Sequence, residues 1–372
     1  MNNFPYIMIL VALIIFAILF AGHWLLYKTV VRFLNLSNQR LLLILKIAVV
    51  LLSLSFVLAS FAVFRYDNLA VRVFYTAAAA WVGIFFLLFL GSLALWLIFG
   101  AAKIFFLALN YRLVAEIIFG FALAISVYSI INANNIRVIS LEVSLPNLPS
   151  QWRGKTAVWA SDLHLGAVQN DGFAKRVAAL IQSKSPDIVF LGGDIYDGVA
   201  ADPNRLAEPF AQIQAPLGKY FITGNHEEFS DNTKYLDAMR TAGVNVLYNE
   251  LTEVDGLQIL GVAFRDTVSE ENFKTILGKM NLDRSRPSIL LEHSPVHIAT
   301  AQAAGISLQL SGHAHRGQFF PFGFITSLVY HGYDYGLKKT GNLTVFTSAG
   351  AGTWGPPLRL GASPDIVILR FW

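Results

Sequence analysis

His313 and His315 stand one residue apart in Gly312-His313-Ala314-His315. Leaving the end of a strand, where side chains alternate faces, a pair at i and i+2 turns both imidazoles into one cavity. Four other short clusters carry similar side chains: Ser161-Asp162-Leu163-His164, Gly193-Asp194-Ile195-Tyr196-Asp197, Gly224-Asn225-His226-Glu227 and His293-Ser294-Pro295. Mixed carboxylate, amide and imidazole donors suit first-row divalent cations better than calcium. The chain has no cysteine, which excludes thiolate ligands, disulfides and cysteine nucleophiles. Any one cluster alone reads equally well as a helix cap or an Asx turn. Five in one chain read as a metal site.

Each cluster follows a short apolar run: TAVWA, DIVFLG, KYFIT, SILLE and SLQLS. In open α/β sheets, ligand-binding residues gather at the carboxyl ends of strands, and that is the position these clusters would take. Further runs, RVISLEVSL, LQILGVAF, LTVFTS and DIVILRF, add strands, while GFAKRVAALIQSKS sets Phe173, Val177, Leu180 and Ile181 on one helical face. The expected fold of residues 136–372 is an α/β domain, a sandwich of sheets flanked by helices.

Residues 1–135 differ in kind. The whole chain is 55% hydrophobic and only 14% charged, too apolar for an ordinary soluble domain. Residues 4–27, 41–64, 73–99 and about 114–131 are each long enough to cross a hydrocarbon core of about 30 Å. Four transmembrane helices make this an integral membrane protein of bacterial plasma-membrane type, with the bilayer as a partner. The first helix lacks the basic start and short apolar core of a cleaved signal and is expected to remain. Lys28, Arg32, Arg40, Lys103 and Arg112 fall in the first and third loops, against Arg65, Arg72 and Arg137 on the other side. The positive-inside rule then puts both termini and the domain after the fourth helix outside the cytoplasm. Lys46 and Glu116, near helix ends, read as snorkelling charges. A net charge of +4, scattered along the chain, gives no footprint for nucleic acid.

The order Asp-x-His, Gly-Asp-x-x-Asp, Gly-Asn-His-Glu, an isolated His before Pro and Gly-His-x-His resembles the calcineurin-like metallophosphoesterases. The likeness covers about residues 155–370. It is nearest to the branch reading DLHLG, GNHE and GHxHxGQ, with a tail matched here by Gly350, Gly352, Thr353, Pro357 and Arg359. One departure is Arg316, where that branch has glycine. The resemblance implies two divalent ions per chain, manganese, iron, zinc or similar. Asp162, His164 and His315 would bind one, Asn225, His293 and His313 the other, and Asp194 would bridge them. His226 would face the substrate phosphate rather than a metal, and Asp194, Asn225 and His226 form the implied catalytic group. Two such ions lower the pKa of a bridging water, so hydroxide attacks phosphorus without a protein nucleophile. Asp197 is either an orienting carboxylate or a turn residue. Glu227 reads as structural, His297 as a surface residue on a following helix, and His23 and His331 as ordinary.

Phe319, Phe320, Phe322, Phe324, Ile325, Leu328 and Val329, interrupted by Pro321 and Gly323, read as a loop. It either folds under the sheet as core or forms an exposed surface for lipid beside the metals, with Arg316 either contacting phosphate or simply capping the loop. The expected function is a membrane-anchored two-metal phosphoesterase acting on a phospholipid, lipid-linked phosphate or pyrophosphate. The alternatives are the same hydrolase acting on soluble or cell-envelope phosphoesters, or a non-catalytic phosphate-sensing membrane protein.

Overall fold

The computed structural model describes residues 4–229 and 231–372. They divide into two compact units, Met1–Ile131 with Gly355–Leu358, and Asn132–Trp354 with Arg359–Trp372.

The first unit is built on four helices: α1 Phe4–Phe33, α2 Gln39–Arg65, α3 Leu69–Ile104 and α4 Tyr111–Ala133. Each is long and apolar enough to cross a membrane. Even α4, with 23 residues, reaches about 34 Å at 1.5 Å per residue. Large apolar side chains such as Leu43, Leu97 and Ile117 point outward, which water would penalise and lipid does not. Asn38 and Asn68 cap α2 and α3 by accepting from their first free N–H groups. Lys46 is exposed, and Glu116 takes the guanidinium of Arg112 one turn away at 2.9 Å, so neither charge is buried alone. His23 is buried but satisfied: Trp81 Nε1–H donates to its Nε2 at 2.9 Å, and its Nδ1–H donates to the Leu19 carbonyl at 2.7 Å.

The second unit contains strands β1 Arg137–Val143, β2 Thr156–Ala160, β3 Ile188–Leu191, β4 Lys219–Phe221, β5 Asn245–Val246, β6 Glu250–Val254, β7 Leu257–Gly261, β8 Ser288–Leu291, β9 Leu308–Ser311, β10 Gly336–Thr340, β11 Leu343–Thr347 and β12 Asp365–Phe371. Its helices are α5 Asp171–Gln182, α6 Pro203–Ala211, α7 Thr233–Thr241, α8 Phe264–Thr267, α9 Glu270–Lys279, α10 Ile298–Ala304 and α11 Phe322–Val329. Two six-stranded sheets form, in the orders β1-β12-β2-β3-β4-β5 and β10-β11-β9-β8-β7-β6. From β2 to β5, and from β7 through β8 and β9 to β11, neighbouring strands run parallel.

Side-chain alternation builds the layers. Ala157, Trp159, Ile188 and Phe190 of the first sheet meet Leu257, Ile259, Ile289, Leu291, Leu308 and Leu310 of the second in one buried core. The alternate residues of the first sheet, Val158, Ala160, Val189 and Leu191, pack under α5, α6 and α7. Leu260, Leu290 and Val345 do the same for the second sheet, under α9 and α10. Strands buried on both faces read as unbroken apolar runs, which is why they were visible in sequence. The polar edge strands β5, β6 and β10 were not.

The stretch 319–329 is not a loop. Pro321 takes the N-cap position, where its missing N–H leaves nothing unpaired, and α11 runs from Phe322 to Val329. Nor is it core: the helix has no buried residue, and Phe324 and Leu328 are 72% and 78% exposed.

Candidate metal centre

All five clusters lie directly beyond the carboxyl ends of strands, Asp162 and His164 after β2, Asp194 after β3, Asn225 and His226 after β4, His293 after β8, and His313 and His315 after β9. Three strands of one sheet and two of the other therefore converge on one place. Asp162, His164, Asp194, His313 and His315 all have φ between 48° and 66°. This left-handed region costs a non-glycine residue about 1–2 kcal/mol. Strain concentrated on five neighbouring polar residues persists only where the surroundings enforce it, the pattern expected of a functional site. Glycines allow the close approach. A Cβ on Gly193, itself at φ 84°, would stand 2.6 Å from the Gly224 nitrogen and 2.7 Å from His293 Nδ1.

The ligand-capable atoms form three overlapping groups, each within 4.8 Å: Asp162, His164 and His315; His164, Asp194 and His226; and Asp194, His293 and His313. His164 Nε2 and His315 Nε2 are 3.0 Å apart, and His293 Nε2 and His313 Nδ1 are 3.2 Å apart. Between these pairs lies Asp194 Oδ2, 3.3 Å from His293 Nε2 and 3.8 Å from His164 Nε2. Its other oxygen accepts the His226 backbone N–H at 2.8 Å, which fixes the carboxylate's rotation. Asp162 is fixed likewise, by the Ser161 hydroxyl at 2.5 Å and the His313 N–H at 2.9 Å. His293 Nδ1–H donates to the Gly192 carbonyl at 2.8 Å, leaving Nε2 directed at the cluster. Asn225 Oδ1 is buried with no hydrogen-bond partner.

A further shell holds these groups. Glu227 is wholly buried and accepts the N–H groups of Asp194, Tyr196 and Gly224 at 2.7 to 2.9 Å, tying the β3 and β4 turns together. Asp197 Oδ1 lies 3.3 Å from His164 Nδ1, without a hydrogen bond, and 3.5 Å from His226 Nδ1. Its main-chain carbonyl accepts from His226 Nδ1–H at 3.1 Å. Arg359, fully buried, donates to the carbonyls of Gly350 and Gly352 and stands 3.1 Å from His315 Nδ1. Phe264 packs against His293 and His313, and Tyr330, at the end of α11, meets His313 edge to face. Phe229 and Trp354, both mostly exposed, flank His226 at 4.5 and 6.3 Å. Phe264, Tyr330 and Trp354 gave no sequence signal, since their partners are close only in space, whereas Ser161 and Phe229 lie one and three residues from theirs and were given no role.

Burial sets most of the protonation states. It lowers His164, His226 and His315, and with the His293 charge it brings His313 down to about 3, so these four rings are neutral with lone pairs to offer. Burial alone would lower His293, but Asp194 and Asp162 push it up to about 10. Burial would equally raise Asp194, yet His293, His226 and His164 outweigh it and hold the carboxyl well below the usual range. Asp162 is raised by burial, and Asp197 is raised by burial to about 7 against the pull of His226. The cluster thus already demands positive charge at its centre.

The remaining histidines lie outside these groups. His297 does not sit on the helix surface: half-buried, it caps the start of α10, and its Nε2–H donates to the Thr267 carbonyl at 2.8 Å. His331 is exposed. Arg316 has φ 48°, so the backbone does adopt the conformation that glycine would favour.

The calcineurin-like phosphoesterase family matches residues 156–317. An uncharacterized metallophosphoesterase of Campylobacter jejuni is 30% identical over 271 residues, 70% of this chain and 71% of that protein. Another from Aquifex aeolicus is 30% identical over 67% of this chain and 96% of its own length. A zebrafish transmembrane protein with metallophosphoesterase domain is 28% identical over 65% of this chain and 59% of its own. The chain is a membrane protein that belongs to the calcineurin-like metallophosphoesterase family, whose members are metal-dependent phosphoester hydrolases.

Proposed function

We propose that the protein hydrolyses the phosphoester of a membrane lipid at a centre of two divalent ions, with Asp162, His164 and His315 holding one ion, Asn225, His293 and His313 the other, and Asp194 spanning both. The observation that carries this reading is Asp194 Oδ2 set between two close imidazole pairs. The donor set fits such ions: the buried Asn225 Oδ1 lacks any other partner, and four neutral rings crowd two carboxylates. When bound, the ions would supply Lewis acidity for the phosphoryl oxygens and a lowered pKa for the attacking water. Manganese, iron and zinc all suit these ligands.

The chain's own groups do the rest. His226, neutral and with Nδ1–H anchored on the Asp197 carbonyl, leaves a lone pair on Nε2, which takes up a proton from solvent before passing it to the leaving oxygen. The Asp197 carboxylate beside it stabilises the protonated ring. Glu227, by gripping three backbone N–H groups, keeps Asp194 and Asn225 in register, so little reorganisation is left to the reaction itself.

The lipid class is supported by two features. The centre belongs to a chain with four apolar helices, and α11 couples an exposed apolar surface to the centre through Tyr330 on His313. Arg316, Phe319, Phe320, Phe322 and Phe324 form the start of this substrate surface. The loop charges, five against three, favour a catalytic unit outside the cytoplasm. The test is a panel of lipid and soluble phosphoesters offered to purified, manganese-loaded protein. Lipid esters should turn over faster. Preference for soluble esters would overturn the lipid class, and turnover without any divalent ion would overturn the chemistry. Protease access to a carboxyl-terminal tag from outside intact cells is expected, and protection would reverse the orientation.

A further inference from the structure

Beneath α11 lies a cavity of about 380 Å³ that takes no part in the metal centre. Its walls include Arg316, Phe320, Phe324, Ser327, Tyr335 and Lys338. We infer that this cavity is a second, metal-free site that binds the anionic phosphate headgroup of a membrane phospholipid, with the acyl chains lying along α11. The inference deepens the lipid reading above and rests on it only for the lipid surroundings.

Charge and shape carry it. Arg316 stacks over the Tyr335 ring at 4.4 Å and hydrogen-bonds to the same residue, which holds the guanidinium plane at the cavity wall. Among the described residues, neither Arg316 nor Lys338 forms an ion pair with a carboxylate. Lys338 belongs to the edge strand β10, yet its Nζ folds in over Gly332, 3.2 Å from where a Cβ would stand. A planar fork and a flexible ammonium facing one cavity match the oxygens of a phosphodiester. Asp334 also lines the cavity, but its Oδ2 accepts the Thr326 hydroxyl, and the cations outnumber it. Arg316 keeps a left-handed backbone at φ 48°, where glycine would be easier by about 1 kcal/mol. A side chain retained under that strain points to a use for the side chain.

The apolar half argues for a lipid over free phosphate. Phe320 and Phe324 meet edge to face at 6.0 Å along one wall. Beyond them Ile325, Leu328 and Val329 continue the apolar surface outward, each more than half exposed. A cationic pocket opening onto such a surface has the polarity of an amphiphile's headgroup and first methylenes. Soluble anions would find only the charges.

The experiment reads binding directly. Full-length protein in a neutral maltoside detergent is titrated with dihexanoyl phosphatidylglycerol, dihexanoyl phosphatidylcholine and glycerol phosphate, and bound ligand is counted by native mass spectrometry. The Asp194→Ala variant is titrated alongside, so that any ligand held by the metal centre is separated from ligand held under α11. Phosphatidylglycerol should bind about tenfold tighter than either comparator, in both proteins. Lys338→Glu should weaken it about tenfold while Lys338→Arg retains it, with thermal unfolding confirming that both variants fold. Equal binding of the two lipids, glycerol phosphate as strong as phosphatidylglycerol, or an unaltered Lys338→Glu would each overturn the site. Binding confined to the protein with Asp194 intact would also overturn it, since the lipid would then sit at the metals. Failure to cleave lipids would sink the hydrolytic reading and leave this binding result standing.

Discussion

Residues 312–315 and residues 319–329 leave the same strand, β9, and obey opposite rules. In the first segment both histidines are held in left-handed conformations, and each imidazole has a neighbour within about hydrogen-bonding distance. In the second, an apolar helix has no buried residue and meets the centre through its last ring, Tyr330. One segment is over-determined, and the other is left for something outside the chain to complete. Ligand geometry for the proposed ions would have to be held within fractions of an ångström, and the strained backbone lies there. The acyl-chain surface proposed for α11 would need only area and apolarity.

The contrast can be broken at four places. Asp194→Ala removes the one group shared by both imidazole pairs. Elemental analysis should show both ions lost, with turnover down on the order of 10³-fold or more; ordinary turnover would end the bridging role. His226→Ala should keep the ions and lose about 10²- to 10³-fold in rate, because only proton transfer is removed. Loss of metal from that variant would make His226 a ligand. Glu227→Gln conserves volume but turns one of the two oxygens that gather three N–H groups into an amide nitrogen, which cannot accept. Metal affinity, followed by titration with manganese, should fall about 10- to 100-fold while far-ultraviolet circular dichroism is unchanged. Unaltered affinity would show that the β3 and β4 turns hold themselves. The smallest effect is expected from Phe324→Ser with Leu328→Ser. Unfolding free energy should move by less than about 0.5 kcal/mol, since nothing buried is lost. The ratio of lipid to soluble-ester hydrolysis should drop several-fold, about 1 kcal/mol. A large loss of stability would mean that α11 is part of the core.

Much of this was legible in one dimension because it depends on local pattern. TAVWA and DIVILRF coincide with β2 and β12, and the apolar spans coincide with the long helices, since burial on both faces or in lipid leaves continuous hydrophobic runs. The chemistry-bearing residues were visible for the same reason, as short polar clusters ending those runs. Less visible was the segment after His315, where Pro321 and Gly323 suggested a loop, although proline at a helix start is harmless. His297 likewise looked like a surface residue, and its bond to Thr267 is made across 30 residues of chain.

The order of residue types along the chain was enough to set which side chains reach strand ends, and therefore which chemistry is on offer. Hydropathy, a sum over neighbours in sequence, was enough to separate lipid-facing helices from the sandwich. Only the tertiary structure decided that Asp194 stands between two imidazole pairs, that Glu227 collects three backbone donors, and that a cationic cavity opens under α11. Each of those depends on strand order and on packing between two sheets, contacts between residues far apart in the chain, and no local pattern encodes them.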